Sequence, residues 1–232
     1  MKVLDFLNQP IVHNIKLIQP LWREIEWSQQ GRIILKPKNL SIIMCHDYQS
    51  IPFFERSLRF FGITDYVVLN EPHEKKWWHM NKLQWIYNWI SCGYCSTDLI
   101  LFSDSRDSIL RGSLYKIIDF FDSLSKCDLL FGSTSADNGL FQSINYLKEQ
   151  SDAITGIPGR YLNSGFFIGK TNYIVNVFKR AIDLVNASGV IEHNASYEQN
   201  ERYTDQDILR QMFPVLYPRI DIDYYNQICY RS

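Results

Sequence analysis

Leu99-Ile100-Leu101-Phe102-Ser103-Asp104-Ser105-Arg106-Asp107 is an apolar run that ends abruptly in two carboxylates three residues apart. An uninterrupted run of this kind reads as a strand buried on both faces of a parallel sheet, and ligands of open α/β sheets gather beyond the carboxyl ends of such strands. Two aspartates held close together repel each other unless a positive charge lies between them. A hard, oxygen-liganded cation such as Mn²⁺ or Mg²⁺ is therefore expected at Asp104 and Asp107. The competing explanation is helix capping, because serine and aspartate also serve as N-caps and first-turn residues.

Working outward, strand and helix signals alternate. Ser41-Ile42-Ile43-Met44-Cys45 predicts a strand, and Pro52 to Gly62 follows with helical spacing and a terminal glycine. Tyr66-Val67-Val68-Leu69 predicts the next strand, and Trp77 to Ile90 a helix ending near Gly93. After the aspartate motif come a helix over Leu114 to Leu124 and a strand at Asp128-Leu129-Leu130-Phe131-Gly132. From Ser133 to Arg160 the polar composition predicts a long loop with a helix around Phe141 to Glu149. Arg160 to Gly169 reads as a strand with polar residues ahead of its apolar part, and Asn172 to Ala187 as a long helix. Ser188 to Arg202 reads as a polar surface loop, and Thr204-Asp205-Gln206-Asp207 as the cap and acidic first turn of a last helix. The repeated β-α-β pattern predicts one α/β domain with a mostly parallel central sheet flanked by helices. Residues 1–40 read as an N-terminal extension packed on a domain over residues 41–232.

The composition sets limits. With a net charge of -1 the 232-residue chain offers no electrostatic case for nucleic acid or an anionic membrane. No stretch approaches a membrane span, and the N-terminus lacks the sustained apolar core of a signal peptide. The five cysteines are an odd number and several lie in apolar segments, which predicts free thiols in the cytoplasm. Cys92-Gly93-Tyr94-Cys95 has the spacing of a metal or redox pair, but no second pair follows it.

Three stretches then occur in a telling order: Phe102-Ser103-Asp104-Ser105-Arg106-Asp107, Tyr161-Leu162-Asn163-Ser164-Gly165-Phe166-Phe167-Ile168-Gly169, and Thr204-Asp205-Gln206. In these the sequence resembles the glycosyltransferase domains of procollagen galactosyltransferases and lysyl hydroxylases, with a weaker echo at Ile222 to Ile228. The resemblance implies a GT-A-like fold and a metal-dependent transfer of a hexose from a UDP-sugar to a hydroxyl of a glycan or protein. It implies that Asp104 and Asp107 ligate the metal or hold metal-bound water, and that Asp205 is an acceptor-side carboxylate that acts as base or positions the hydroxyl. Lys82 matches a position near the donor and would neutralise a phosphate, unless it is an ordinary solvated helix charge. Asn163, Ser164 and Gly165 would contact the sugar, the first two by side-chain hydrogen bonds and the glycine by close backbone approach. Cys45, His46 and Asp47 would lie by the uracil or ribose, and Ser105 by the donor. Gln206 is expected to support its neighbours and Asp207 to face solvent.

The chain departs from the family pattern in three ways, the first being that the cysteine-tryptophan-proline element of animal relatives is not recognisable between Ser133 and Tyr161. Arg106 replaces an aromatic residue common inside the aspartate motif, and would pair with phosphate or with one of the aspartates. The family's His-Gly-Asn-Gly segment, whose histidine completes the metal shell, has no counterpart before Tyr230-Arg231-Ser232. A third protein ligand is then either missing or supplied from elsewhere, and His193 lies too far from any matching motif to be assigned. A missing ligand is what would favour a non-catalytic sugar-nucleotide or glycan-binding protein.

Overall fold

Branched and aromatic apolar residues build the centre of the molecule. The computed structural model describes residues 9–13, 15–70, 79–134, 161–187 and 204–230. Six strands form the main sheet: β2 (Leu40–Cys45), β3 (Val67–Leu69), β4 (Leu99–Ser103), β6 (Leu129–Thr134), β7 (Tyr161–Lys170) and β8 (Ile220–Ile222). Their order is β3-β2-β4-β7-β6-β8. Among the described residues only β7 runs against its neighbours, so the sheet is the mostly parallel one that the β-α-β pattern predicts. All five residues of β4 are buried. Removing such side chains from water stabilises the fold by about 1.5–3 kcal/mol each for the large apolar ones.

Helices cover both faces. On one lie α1 (Ile15–Ser28), α2 (Phe53–Phe60) and α4 (Leu114–Ser123), which contribute Trp22, Phe54, Leu58 and Ile117 to a core with Leu101 and Phe166. On the other lie α3 (Met80–Ser91), α5 (Thr171–Ala187) and α6 (Asp205–Leu216), which contribute Leu83, Ile86, Phe178 and Phe213 to a core with Phe102 and Phe167. The predicted glycine stops hold: Gly62 and Gly93 follow α2 and α3 with φ of 79° and 78°, where a side chain would be strained. The helix expected around Phe141 to Glu149, the loop expected over Ser188 to Arg202, and Trp77 lie outside the described residues.

A second, three-stranded sheet of order β5-β1-β9 has no counterpart in the sequence reading: β1 (Ile11–His13), β5 (Ser108–Leu110) and β9 (Cys229–Tyr230). Strands of two or three residues are too short to carry a hydrophobic period, so only tertiary pairing defines them. Within residues 9–40, β1 is fully buried between β5 and β9, and Trp22 is buried, while Trp27 is 88% exposed.

Candidate functional site

The end of β4 is the centre of the site. After Ser103 the chain passes Asp104 and Asp107 and immediately enters β5. β1 lies antiparallel to β5 with His13 opposite Ser108, next to Asp107. This register brings His13 Nε2 to 3.0 Å from Asp107 Oδ2 and 3.7 Å from Asp104 Oδ2. One ligating atom from each of the three side chains lies within 4.8 Å of the others. His13 is 1% exposed, and neither ring nitrogen makes a hydrogen bond of good geometry. An imidazole buried in that state is costly unless something else engages it.

Gly165 closes the cluster from β7. Its backbone oxygen accepts from Asp104 N at 2.7 Å, and a Cβ built on it would overlap His13 Cε1 and come within 2.5 Å of Asp104 Oδ2. Here a glycine is required by close approach. One imidazole and two carboxylates fit a divalent cation such as Mn²⁺, which takes nitrogen and oxygen ligands together. The sequence reading missed His13. No local signal marks it, because it becomes a neighbour of Asp107 only through the pairing of β1 with β5.

Asn163, Ser164 and Gly165 stand in an irregular part of β7. Against β6, Phe131 pairs with Phe167 but the next residue, Gly132, pairs with Asn163, so Ser164 to Phe166 are looped out of that ladder. Such a bulge re-aims side chains next to a site. It is pinned from within, since Asn163 Oδ1 accepts from Gly165 N at 3.1 Å, and from α6, where Gln206 Oε1 accepts from Asn163 Nδ2 at 2.9 Å and Ser164 N at 3.3 Å. Gln206 thus supports its neighbours. Asn163 is 2% exposed with both ends of its amide engaged.

Lys82 is 4% exposed, which excludes the solvated-surface alternative. It projects from α3 to meet Asp205 Oδ2 at 2.6 Å and Ser164 O at 3.2 Å, with Asp104 Oδ1 at 3.7 Å. Burial disfavours its ammonium form, but Asp205 and Asp104 outweigh that and hold the Lys82 pKa above its usual value. Lys82 therefore ties Asp104 to the carboxylate that opens α6. Two carboxylates, Asp104 and Asp205, face this one ammonium while Asp107 meets the His13 imidazole, an imbalance that suits a cation.

Asp207 does not face solvent, contrary to expectation. It is 4% exposed and completes a capping box, accepting from Thr204 N at 3.1 Å while its own N donates to Thr204 Oγ1 at 3.2 Å. The reciprocal bonds satisfy two orphan donors of the helix start and draw the carboxylate inward. Arg210, another residue the sequence reading passed over, is buried with Nε donating to Leu162 O at 3.0 Å, which docks α6 on β7.

Cys45 ends β2 buried, and burial pushes its thiol pKa up, against the pull of Lys82. His46 Nε2 lies 3.2 Å from Glu55 Oε2, and its ring stacks on Tyr48 at 5.5 Å. Burial lowers the His46 pKa, with Glu55 opposing. Asp47 is exposed, and Ser105 is buried with its carbonyl accepting from Phe54 N at 3.0 Å. A cavity of about 340 Å³ opens alongside, lined among others by Tyr48, Pro52, Phe53, Arg56 and Arg106.

Comparisons with known proteins bear on this arrangement. The family model of the PLOD GT domain matches residues 44–186, more than half of the chain. A comparison with curated proteins finds no match. Among solved structures, the chain is similar to the crystal structure of a glycosyltransferase involved in the glycosylation of the major capsid of PBCV-1. Identity there is 14%, the match covers 79% of this chain and 80% of that one, and the TM-score is 0.46.

Proposed function

The chain belongs to the family of PLOD GT domains, so glycosyl transfer is its general chemistry and its mixed α/β architecture fits a GT-A-like fold. On that premise we propose that it moves a hexose from a UDP-sugar to a hydroxyl of a glycan or protein, with Mn²⁺ or Mg²⁺ held by Asp104, Asp107 and His13. The observation that carries the reading is the cluster of those three side chains, closed by a glycine that leaves no room for a Cβ. When bound, the cation supplies positive charge to the donor diphosphate and to the negative charge that develops on the departing nucleotide.

The chain's own residues are assigned as follows. His13 supplies the third ligand, which removes the observation that favoured a non-catalytic binding protein. Arg106 and Tyr48, on the wall of the neighbouring cavity, offer a guanidinium for phosphate and a ring for a flat base. Cys45, His46, Asp47 and Ser105 border that donor side. Ser164 and Gly165 present the bulged edge of β7 to the sugar, with Asn163 and Gln206 holding the bulge in shape. Lys82 balances Asp104 and fixes the orientation of Asp205, the acceptor-side carboxylate that positions the hydroxyl or takes its proton. All five cysteines are free thiols, which supports a reducing, cytoplasmic setting, and no helix among the described residues is long and apolar enough to cross a membrane.

Calorimetric titration of UDP with and without Mn²⁺, on the unaltered chain and on Asp104→Ala, tests the reading. Binding that needs both the metal and Asp104, followed by UDP release from a UDP-hexose, is the expected result. UDP binding indifferent to metal, with no sugar released, would replace it with a sugar-nucleotide-binding protein.

A further inference from the structure

The cation cluster straddles the two sheets. Asp104 follows β4 of the main sheet, whereas His13 belongs to β1 and Asp107 directly precedes β5, both in the small sheet. The separation of the ligating atoms therefore depends on how the small sheet is seated on the large one. One strap ties the two together on the β9 side, and it is built around a single buried carboxylate.

Asp223 directly follows β8 and is 2% exposed. Its backbone N–H donates to Phe131 O of β6 at 2.8 Å, which anchors it to the main sheet. Its carboxylate accepts from three consecutive backbone N–H groups: Gln227 at 2.7 Å, Ile228 at 2.9 Å and Cys229 at 3.2 Å. Between them the chain turns through Asn226, whose φ is 51° and whose Oδ1 accepts from Ser133 Oγ of β6 at 2.9 Å. The residues so gathered carry β1 directly. Ile228 O accepts from Ile11 N at 3.1 Å, and Cys229 and Tyr230 pair with Ile11 and Val12, the residues just before His13. A carboxylate suits this place because it only accepts, whereas an amide would turn an N–H₂ group toward one or more of the three donors.

We propose that Asp223 is a positioning residue for the third metal ligand: through Gln227, Ile228 and Cys229 it seats β9, β9 seats β1, and β1 holds His13 over Asp104 and Asp107. The proposal rests on the metal reading of the preceding subsection and extends it to the C-terminal strap. Groups that orient a metal ligand without touching the metal commonly change metal affinity by about 10–100-fold.

The test is a double-mutant cycle on Mn²⁺ affinity, with free Mn²⁺ followed by electron paramagnetic resonance in the unaltered chain, Asp223→Asn, His13→Ala and the double variant. Asp223→Asn is expected to weaken Mn²⁺ binding about 10-fold when His13 is present and to have no effect when it is not. An unchanged affinity, or the same loss in both backgrounds, overturns the proposal, because a merely structural role would not need His13. Should Asp223→Asn fail to fold, Asn226→Gly keeps the left-handed backbone and deletes only the tie to Ser133. A smaller loss in the same direction, again confined to the His13 background, is then expected, and its absence overturns the proposal. If the unaltered chain binds no Mn²⁺, the metal reading itself falls and this proposal with it, an outcome distinct from binding that ignores Asp223.

Discussion

Replacing Gly165 with alanine should disable the cation site while leaving the fold standing. The added Cβ would overlap His13 Cε1 and lie 2.5 Å from Asp104 Oδ2 and 2.9 Å from His13 Nδ1. Ordinary carbon contacts begin near 3.5 Å, so the carboxylate oxygen must retreat by about 1 Å and the imidazole by more. Metal ligands tolerate displacements of only about 0.2 Å, so the shift removes at least one of the three ligands. An affinity loss of about 100-fold follows, at the upper end of what displaced ligand geometry produces. Crowding in the core would cost about 1–3 kcal/mol of stability, not enough to abolish folding of an ordinary domain. The assay is denaturant unfolding with and without Mn²⁺. At an Mn²⁺ concentration 100 times the dissociation constant, the unaltered chain gains about 2.7 kcal/mol, and the variant under the same conditions about 0.4 kcal/mol. A folded Gly165→Ala protein that gains as much from Mn²⁺ as the unaltered chain would refute the assignment of His13 and Asp104 to one cation site.

Two further outcomes are expected. Lys82→Met should destabilise the chain by about 3–5 kcal/mol in urea, since it strands the buried Asp205 carboxylate, and Lys82→Met with Asp205→Leu should recover much of that; a single-variant loss under about 1 kcal/mol would contradict the buried pair. Asp128 meets Lys170 Nζ at 2.7 Å and Arg219 Nε at 2.6 Å, and although burial works against it, those cations hold its pKa below the usual carboxylate range. A folded-state pKa below the unfolded one means a contribution present above that unfolded value and lost as pH falls through the folded one. The stability difference between the unaltered chain and Asp128→Asn, measured from about pH 6 to about pH 2, should therefore shrink only at the acid end. A difference constant over that span would contradict the pairing.

The reach of the sequence followed the length of each element. β4, β6, α5 and α6 carry enough apolar residues at strand or helix spacing for their cores to be legible. Asp104 and Asp107 were legible because an apolar run stops at them. Asp207 was misread because a capping box and an acidic surface turn look alike until the helix start is seen to be buried.

An α/β chain of glycosyltransferase resemblance, with paired aspartates at the end of a buried strand, could be read from the residues alone, since those features are written in runs of neighbouring residues. That His13 joins them, that Lys82 is buried between Asp104 and Asp205, and that Gly165 must lack a side chain emerged from the folded chain. These depend on the register of β1 on β5 and on a bulge in β7, contacts between residues nearly a hundred positions apart or made where no periodic pattern exists. Short strands take their place from the partners they pair with, so the ligand they deliver becomes visible only once the sheets are assembled.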